Sequence, residues 1–81
     1  MISWEQPTMT IYNLVRGLAR PYIGALARLD DRDVVVWRAR LPAGAPADAA
    51  APPGTVLARR GDEVDVRTGD GYLTLVEVEA A

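Results

Sequence analysis

The sequence predicts an α+β, mainly β fold: one N-terminal helix followed by about five short strands that curl into a small barrel. Three observations predict it. Between Pro7 and Ala19 the apolar residues Ile11, Leu14, Val15 and Leu18 recur at i, i+3, i+4 and i+7, the spacing of one buried helical stripe. Beyond residue 24 the apolar residues fall in short strand-forming runs separated by Asp- and Gly-containing turns. The chain has 81 residues, enough for one domain. Five strands in so short a chain favour closure, because closure removes exposed edges.

The elements follow in order. The helix spans about 7–19. Pro7 suits its first turn, where a missing N–H costs nothing. Pro21 ends it by disfavouring helical geometry at Arg20. Trp4 and Met9 are expected to pack at its start. The strands are expected at about 24–29, 33–41, 55–59, 64–68 and 72–79. Asp30-Asp31-Arg32 is the first turn, Gly61-Asp62 a second and Gly69-Asp70-Gly71 a third, the last read as a tight hairpin because glycine accepts positive φ. The segment from Pro42 to Pro53 is rich in Ala, Pro and Gly and reads as a loop. In the strand around Val34-Val35-Val36-Trp37, strict alternation puts Val35, Trp37, Ala39 and Leu41 on one face. Arg38 and Arg40 lie on the other, so the first set, Trp37 included, is expected inside.

Composition narrows the chemistry. The chain has no histidine, no cysteine and no lysine. It therefore lacks the commonest general base, thiolate metal ligands and any Schiff-base amine. No catalytic residue and no metal site is expected. The net charge is −2, with arginines and carboxylates interspersed, which gives no strong field for nucleic acid. No run of about 18 apolar residues suggests a membrane span. The first residues do not resemble a signal peptide, and the lack of cysteine fits the cytoplasm.

An ordered set of residues then points to a family. Ile2-Ser3-Trp4, Ile11-Tyr12-Asn13-Leu14-Val15-Arg16-Gly17-Leu18 and Arg20-Pro21-Tyr22-Ile23-Gly24-Ala25 open it. Val36-Trp37-Arg38-Ala39, Pro53-Gly54-Thr55-Val56 and Thr68-Gly69-Asp70-Gly71-Tyr72-Leu73 follow in the same order. Together they resemble the carboxy-terminal domain of methionyl-tRNA formyltransferase and its sugar-modifying relatives, over nearly the whole chain. The resemblance implies an OB-like barrel behind a helix. It also implies a separate catalytic domain, in cis or in trans, that binds 10-formyltetrahydrofolate; no cofactor is expected on this domain itself. The accessory domain helps to hold the acceptor or contacts the catalytic domain. The family often reads Pro-Gly-Ala-Phe after the helix, where this chain has Ile23-Gly24-Ala25-Leu26. It often ends in a lysine-rich tail, where this chain ends Glu77-Val78-Glu79-Ala80-Ala81. The acidic end and the absent lysines favour a small amine or amino-sugar acceptor over tRNA.

Five residues are candidate contacts with substrate or partner. Asn13, Arg16 and Arg20 form a stripe on the polar face of the helix, able to hold a phosphate or carboxylate. Arg16 sits at the helix arginine of the family. Arg38 and Arg40 form a second pair on one strand face, and Arg59, Arg60 and Arg67 a looser third group. Each set also reads as solvated surface. The carboxylate pairs Asp30-Asp31 and Asp62-Glu63 sit in turns, where Asp is favoured for local backbone bonding. Two other functions fit the residues: a stand-alone OB-like binding module for a small anionic ligand or single-stranded nucleic acid, and a protein-interaction domain.

Overall fold

A computed structural model describes residues 1–19, 21–44 and 50–81. The candidate Arg20 and part of the loop expected between Pro42 and Pro53 lie outside the described residues. The helix α1 is Thr8–Leu18. Five strands follow: β1 (Ala25–Leu29), β2 (Arg32–Arg40), β3 (Val56–Arg60), β4 (Glu63–Arg67) and β5 (Tyr72–Ala80). Each lies within one or two residues of its expected place.

The strands form one antiparallel sheet in the order β1-β2-β5-β4-β3. Its ladder is open: among the described residues no pairing joins the edge strands β1 and β3, so the expected barrel is not closed by strands. The N-terminal segment occupies part of the seam instead. The Ile2 N–H donates to the Leu26 carbonyl at 2.6 Å, and the Trp4 indole N–H donates to the Arg28 carbonyl at 3.2 Å. On the far side the Gly69 N–H donates to the Gln6 carbonyl at 3.0 Å. The first two bonds satisfy carbonyls of the edge strand β1 that would otherwise be left for another chain.

One face of the sheet holds the core. Ile11 and Val15 of α1 meet Ala25, Ala27, Leu29, Val36, Val66, Leu73 and Leu75 of the strands, with Ile2 and Trp4 at the seam. The face of β2 corrects the sequence reading. Val36 is fully buried, Val34 and Ala39 pack against the core, and Leu41 is exposed. Trp37 belongs to the opposite face, beside Val35 and Gly24, with its indole N–H bonded to Glu79. The cause is an irregularity in the β2–β5 register between Val36, Arg38 and Ala39. A bulge adds a residue to one strand and shifts the alternation, so Val36 and Ala39 both face inward although they are three apart.

One turn departs from expectation. Gly69 and Gly71 do not have positive φ; the residues that do are Gly24, Gly44, Gly54 and Gly61, with Asp30 and Asp31. Gly69 is required for a different reason: an added Cβ would stand 2.0 Å from the Glu5 carbonyl oxygen. Positive φ at both central residues of the β1–β2 turn, 50° at Asp30 and 62° at Asp31, matches the twist of a tight hairpin and is tolerated by Asp. Met9, expected to pack at the start of the helix, is exposed at 52%.

Candidate functional site

The helix is fixed to the sheet by the β4–β5 turn. The Asp70 carboxylate accepts from the Thr8 N–H at 2.8 Å and from the Thr8 hydroxyl at 2.9 Å, and the Thr8 and Thr68 hydroxyls lie 2.6 Å apart. Pro7 occupies the N-cap and offers no side-chain cap, so Asp70 supplies the acceptor from 62 residues away. The Thr8 N–H, followed by the Thr8 hydroxyl, holds the Asp70 carboxyl below its usual range. The Gly-Asp-Gly motif is thus a structural clasp. Glycine at 69 admits the Glu5–Gln6 backbone, and Asp70 caps the helix.

This clasp sets the direction of the polar helix face. Asn13 and Arg16 are both exposed. The Arg16 guanidinium lies 5.5 Å from the centroid of the Tyr12 ring, a cation–π contact within one helix turn. It makes no ion pair with a described residue.

The strand arginines lie in a different setting. Arg38 is exposed on β2, in register with Glu77. Arg40 is bound by both oxygens of Glu63, at 2.7 and 2.9 Å. Arg60 is bound by both oxygens of Asp65, at 2.7 and 3.0 Å, and Thr74 donates to the same carboxylate at 2.8 Å. Arg60 also approaches Glu63 at 3.9 Å, so the pairs form one network across β2, β5, β4 and β3. Asp65 and Thr74 are buried within it, at 6% and 1% exposure. The Arg60 hydrogen bonds hold the Asp65 carboxyl below its usual range, and the Arg40 hydrogen bond does the same for Glu63.

The four described candidates do not form one site. Asn13 and Arg16 stand on the helix, Arg38 stands apart on β2, and Arg40 is committed to Glu63. The third group also disperses. Arg59 pairs with Asp30 at 2.8 Å and Arg60 with Asp65, while Arg67 donates to the carbonyls of Thr68 and Gly71.

Sequence reasoning missed the outer apolar face of β1 and β2. Ile23 is 77% and Tyr22 65% exposed, and Leu26 is also exposed. Leu26 is in register with Val35, and Trp37 lies beside Gly24 on this side. The signal was the run Tyr22-Ile23-Gly24 with Leu26. Parity misled, because it assigned Val35 and Trp37 to the core.

Comparison with known proteins places this fold. A family model described as "Formyl transferase, C-terminal domain" matches residues 1–81. The chain belongs to this family. It is 37% identical to a methionyl-tRNA formyltransferase of Pelobacter propionicus over 81 residues, covering 100% of this chain and 24% of that relative. It is 33% identical over 57 residues to the bifunctional polymyxin resistance protein ArnA of Wigglesworthia glossinidia brevipalpis, covering 70% of this chain and 8% of that protein. Among solved structures, a variant of HypX from Aquifex aeolicus superposes with a TM-score of 0.68 at 23% identity, over 98% of this chain and 13% of that one. That likeness is one of fold. The chain spans about a quarter of the methionyl-tRNA formyltransferase it matches, whose length share is 24%.

Proposed function

We propose that this chain is the accessory domain of a 10-formyltetrahydrofolate-dependent formyltransferase of the cytoplasm, without catalysis of its own. It helps to position the acceptor or contacts a catalytic domain, in cis or in trans. Its curled five-stranded sheet is of the OB-like kind, with the N-terminal segment at the seam. A small amine or amino-sugar acceptor suits its charge better than tRNA. One observation carries the reading. The formyltransferase C-terminal model matches every residue, while the sequence holds no histidine, cysteine or lysine to serve as base or nucleophile. Among the described residues no three acidic groups converge that could hold a metal ion. The carboxylates of the one dense polar network are committed to guanidinium groups.

The test has two parts. The purified chain is incubated with 10-formyltetrahydrofolate and a panel of amine acceptors, and no turnover above a heat-killed control is expected. The chain then replaces the matching quarter of the Pelobacter propionicus enzyme. The chimera is expected to transfer formyl groups with an altered KM for the acceptor and an unchanged KM for the folate. Turnover by the isolated chain would refute the non-catalytic assignment. A folded chimera no better than the enzyme lacking this quarter would refute the accessory role.

A further inference from the structure

The two ends of the sheet are finished differently. At one end lie the start of β1, the β4–β5 turn and α1. The Gly24 N–H donates to the Leu18 carbonyl and Asp70 caps Thr8, so the helix is tied there. At the other end lie the β1–β2 turn at Asp30-Asp31 and the β3–β4 turn at Gly61-Asp62. No described helix covers that end. It opens into a cleft of about 540 Å³, a size typical of small-molecule sites, which run from about 300 to 1,000 Å³.

The lining of the cleft has two parts. Leu29, Val34, Val64 and Val78 form an aliphatic floor, and Asp30, Arg32 and Arg59 form the rim. Arg59 is on this side because the β3–β4 register shifts between Val56 and Ala58, which sets Arg59 opposite Val64 of the floor. Its guanidinium meets Asp30 at 2.8 Å, a bond across the mouth between the β1–β2 turn and β3. Arg32, in register with Leu29, makes no ion pair with any described residue. The neighbouring Asp33 is turned to Arg28 at 3.9 Å, and Asp31 does not line the cleft. The rim thus carries one uncompensated positive charge above an apolar floor, in a chain whose net charge is −2.

We propose that this cleft binds a small amphipathic anion: one carboxylate or phosphate, held by Arg32 with Arg59, on a short aliphatic body laid on Leu29, Val34, Val64 and Val78. A guanidinium fork supplies two parallel donors to either anion. The floor supplies the apolar contact that a bare inorganic anion cannot use. The inference concerns a ligand of this chain itself and does not rest on the accessory reading.

The probes are hexanoate and hexyl phosphate, each titrated into the isotope-labelled chain and followed by amide and arginine side-chain NMR. Acetate serves as the anion without the body, and hexanol as the body without the anion. Saturable shifts are expected at Val34, Val64, Val78 and the Arg59 side chain, with dissociation constants in the millimolar range or tighter for the hexyl anions. The better of the two anions identifies the headgroup. Arg32→Gln, at an exposed position where folding is not at risk, is expected to weaken binding about tenfold, as loss of a charged hydrogen-bond donor does. Acetate reproducing the same shifts at the same concentrations would reduce the site to counter-ion binding and overturn the proposal. So would equal binding of hexanol, shifts elsewhere on the molecule, or an Arg32→Gln variant that binds as tightly as the parent.

Discussion

At position 69 the missing Cβ lets the N-terminal segment cross the β4–β5 turn. An added methyl would fall 2.0 Å from the Glu5 carbonyl oxygen and 3.0 Å from that of Gln6, both backbone atoms with little room to retreat. Gly69→Ala is therefore expected to destabilise the domain by about 1–3 kcal/mol, the usual cost of overpacking. Thermal unfolding followed by circular dichroism measures it, and an unchanged midpoint would show that the segment can shift at no cost. The residue beside it acts through charge. Asp70→Ala removes the acceptor for both Thr8 donors and is expected to lower the melting temperature, with the loss felt first in the helical signal. Asp70→Asn keeps one acceptor oxygen and is expected to fall between the two. Trp37→Ala, on the outer face, is expected to cost less stability than Leu73→Ala in the core, where a Leu→Ala change costs about 2–5 kcal/mol. A Trp37→Ala variant less stable than Leu73→Ala would restore the interior assignment.

Among the elements, the helix and all five strands were legible because their signals are local. The apolar stripe of α1, of which Ile11 and Val15 are buried and Leu18 partly so while Leu14 is exposed, the β-branched runs and the Asp- and Gly-containing turns each sit within a few residues of what they specify. The bulges in β2 and β3 were not legible, because a bulge is set by what the partner strand requires and leaves no mark on its own strand's composition. Those two bulges decide which face Val36, Trp37 and Arg59 occupy, so the site was less readable than the fold. The arginines were visible in the sequence, but their partners were not: Arg40 with Glu63 is 23 residues apart, and Arg59 with Asp30 is 29. The network joining β2, β5, β4 and β3 gives this sheet an acid dependence. Asp65 and Glu63 have folded-state pKa values depressed by Arg60 and Arg40, and Thr8 depresses that of Asp70. A depressed carboxyl binds fewer protons folded than unfolded, so its contribution is complete above the unfolded value and is lost as pH falls through the folded one. Stability is expected to be level above about pH 5 and to fall from about pH 4 downward, since unfolded Asp and Glu titrate near 3.9 and 4.3. Urea unfolding at a series of pH values checks it; Arg60→Gln, which frees Asp65, is expected to flatten the acid limb.

On the scale of the whole molecule, what matters is how its charges are arranged. Nine arginines face eleven carboxylates, and folding spends much of the positive set internally. Arg28, Arg40, Arg59 and Arg60 pair with Asp33, Glu63, Asp30 and Asp65, while Arg67 is held by two carbonyls and Arg16 lies over Tyr12. Of the described arginines, this leaves Arg16 on the helix, Arg32 at the cleft and Arg38 on β2 with no ion pair or hydrogen bond to a described residue. Three cations, on the helix and at the two ends of β2, on a molecule of net charge −2 do not make a phosphate-binding face. Tight sequence-independent binding of nucleic acid requires about six or more phosphate contacts, each adding close to one unit to the salt slope. The relative named for methionyl-tRNA is about four times as long as this chain, which covers 24% of it, so affinity for tRNA there has three further quarters of protein to come from. Labelled tRNA titrated with the isolated chain is accordingly expected to show no binding tighter than about 100 μM at physiological salt, the non-specific range. Lowering the salt is expected to change this little, because few counterions are released. Micromolar binding with a steep salt slope, reduced by Arg38→Ala or Arg16→Ala, would show that the exposed arginines act together and would turn the acceptor assignment toward tRNA.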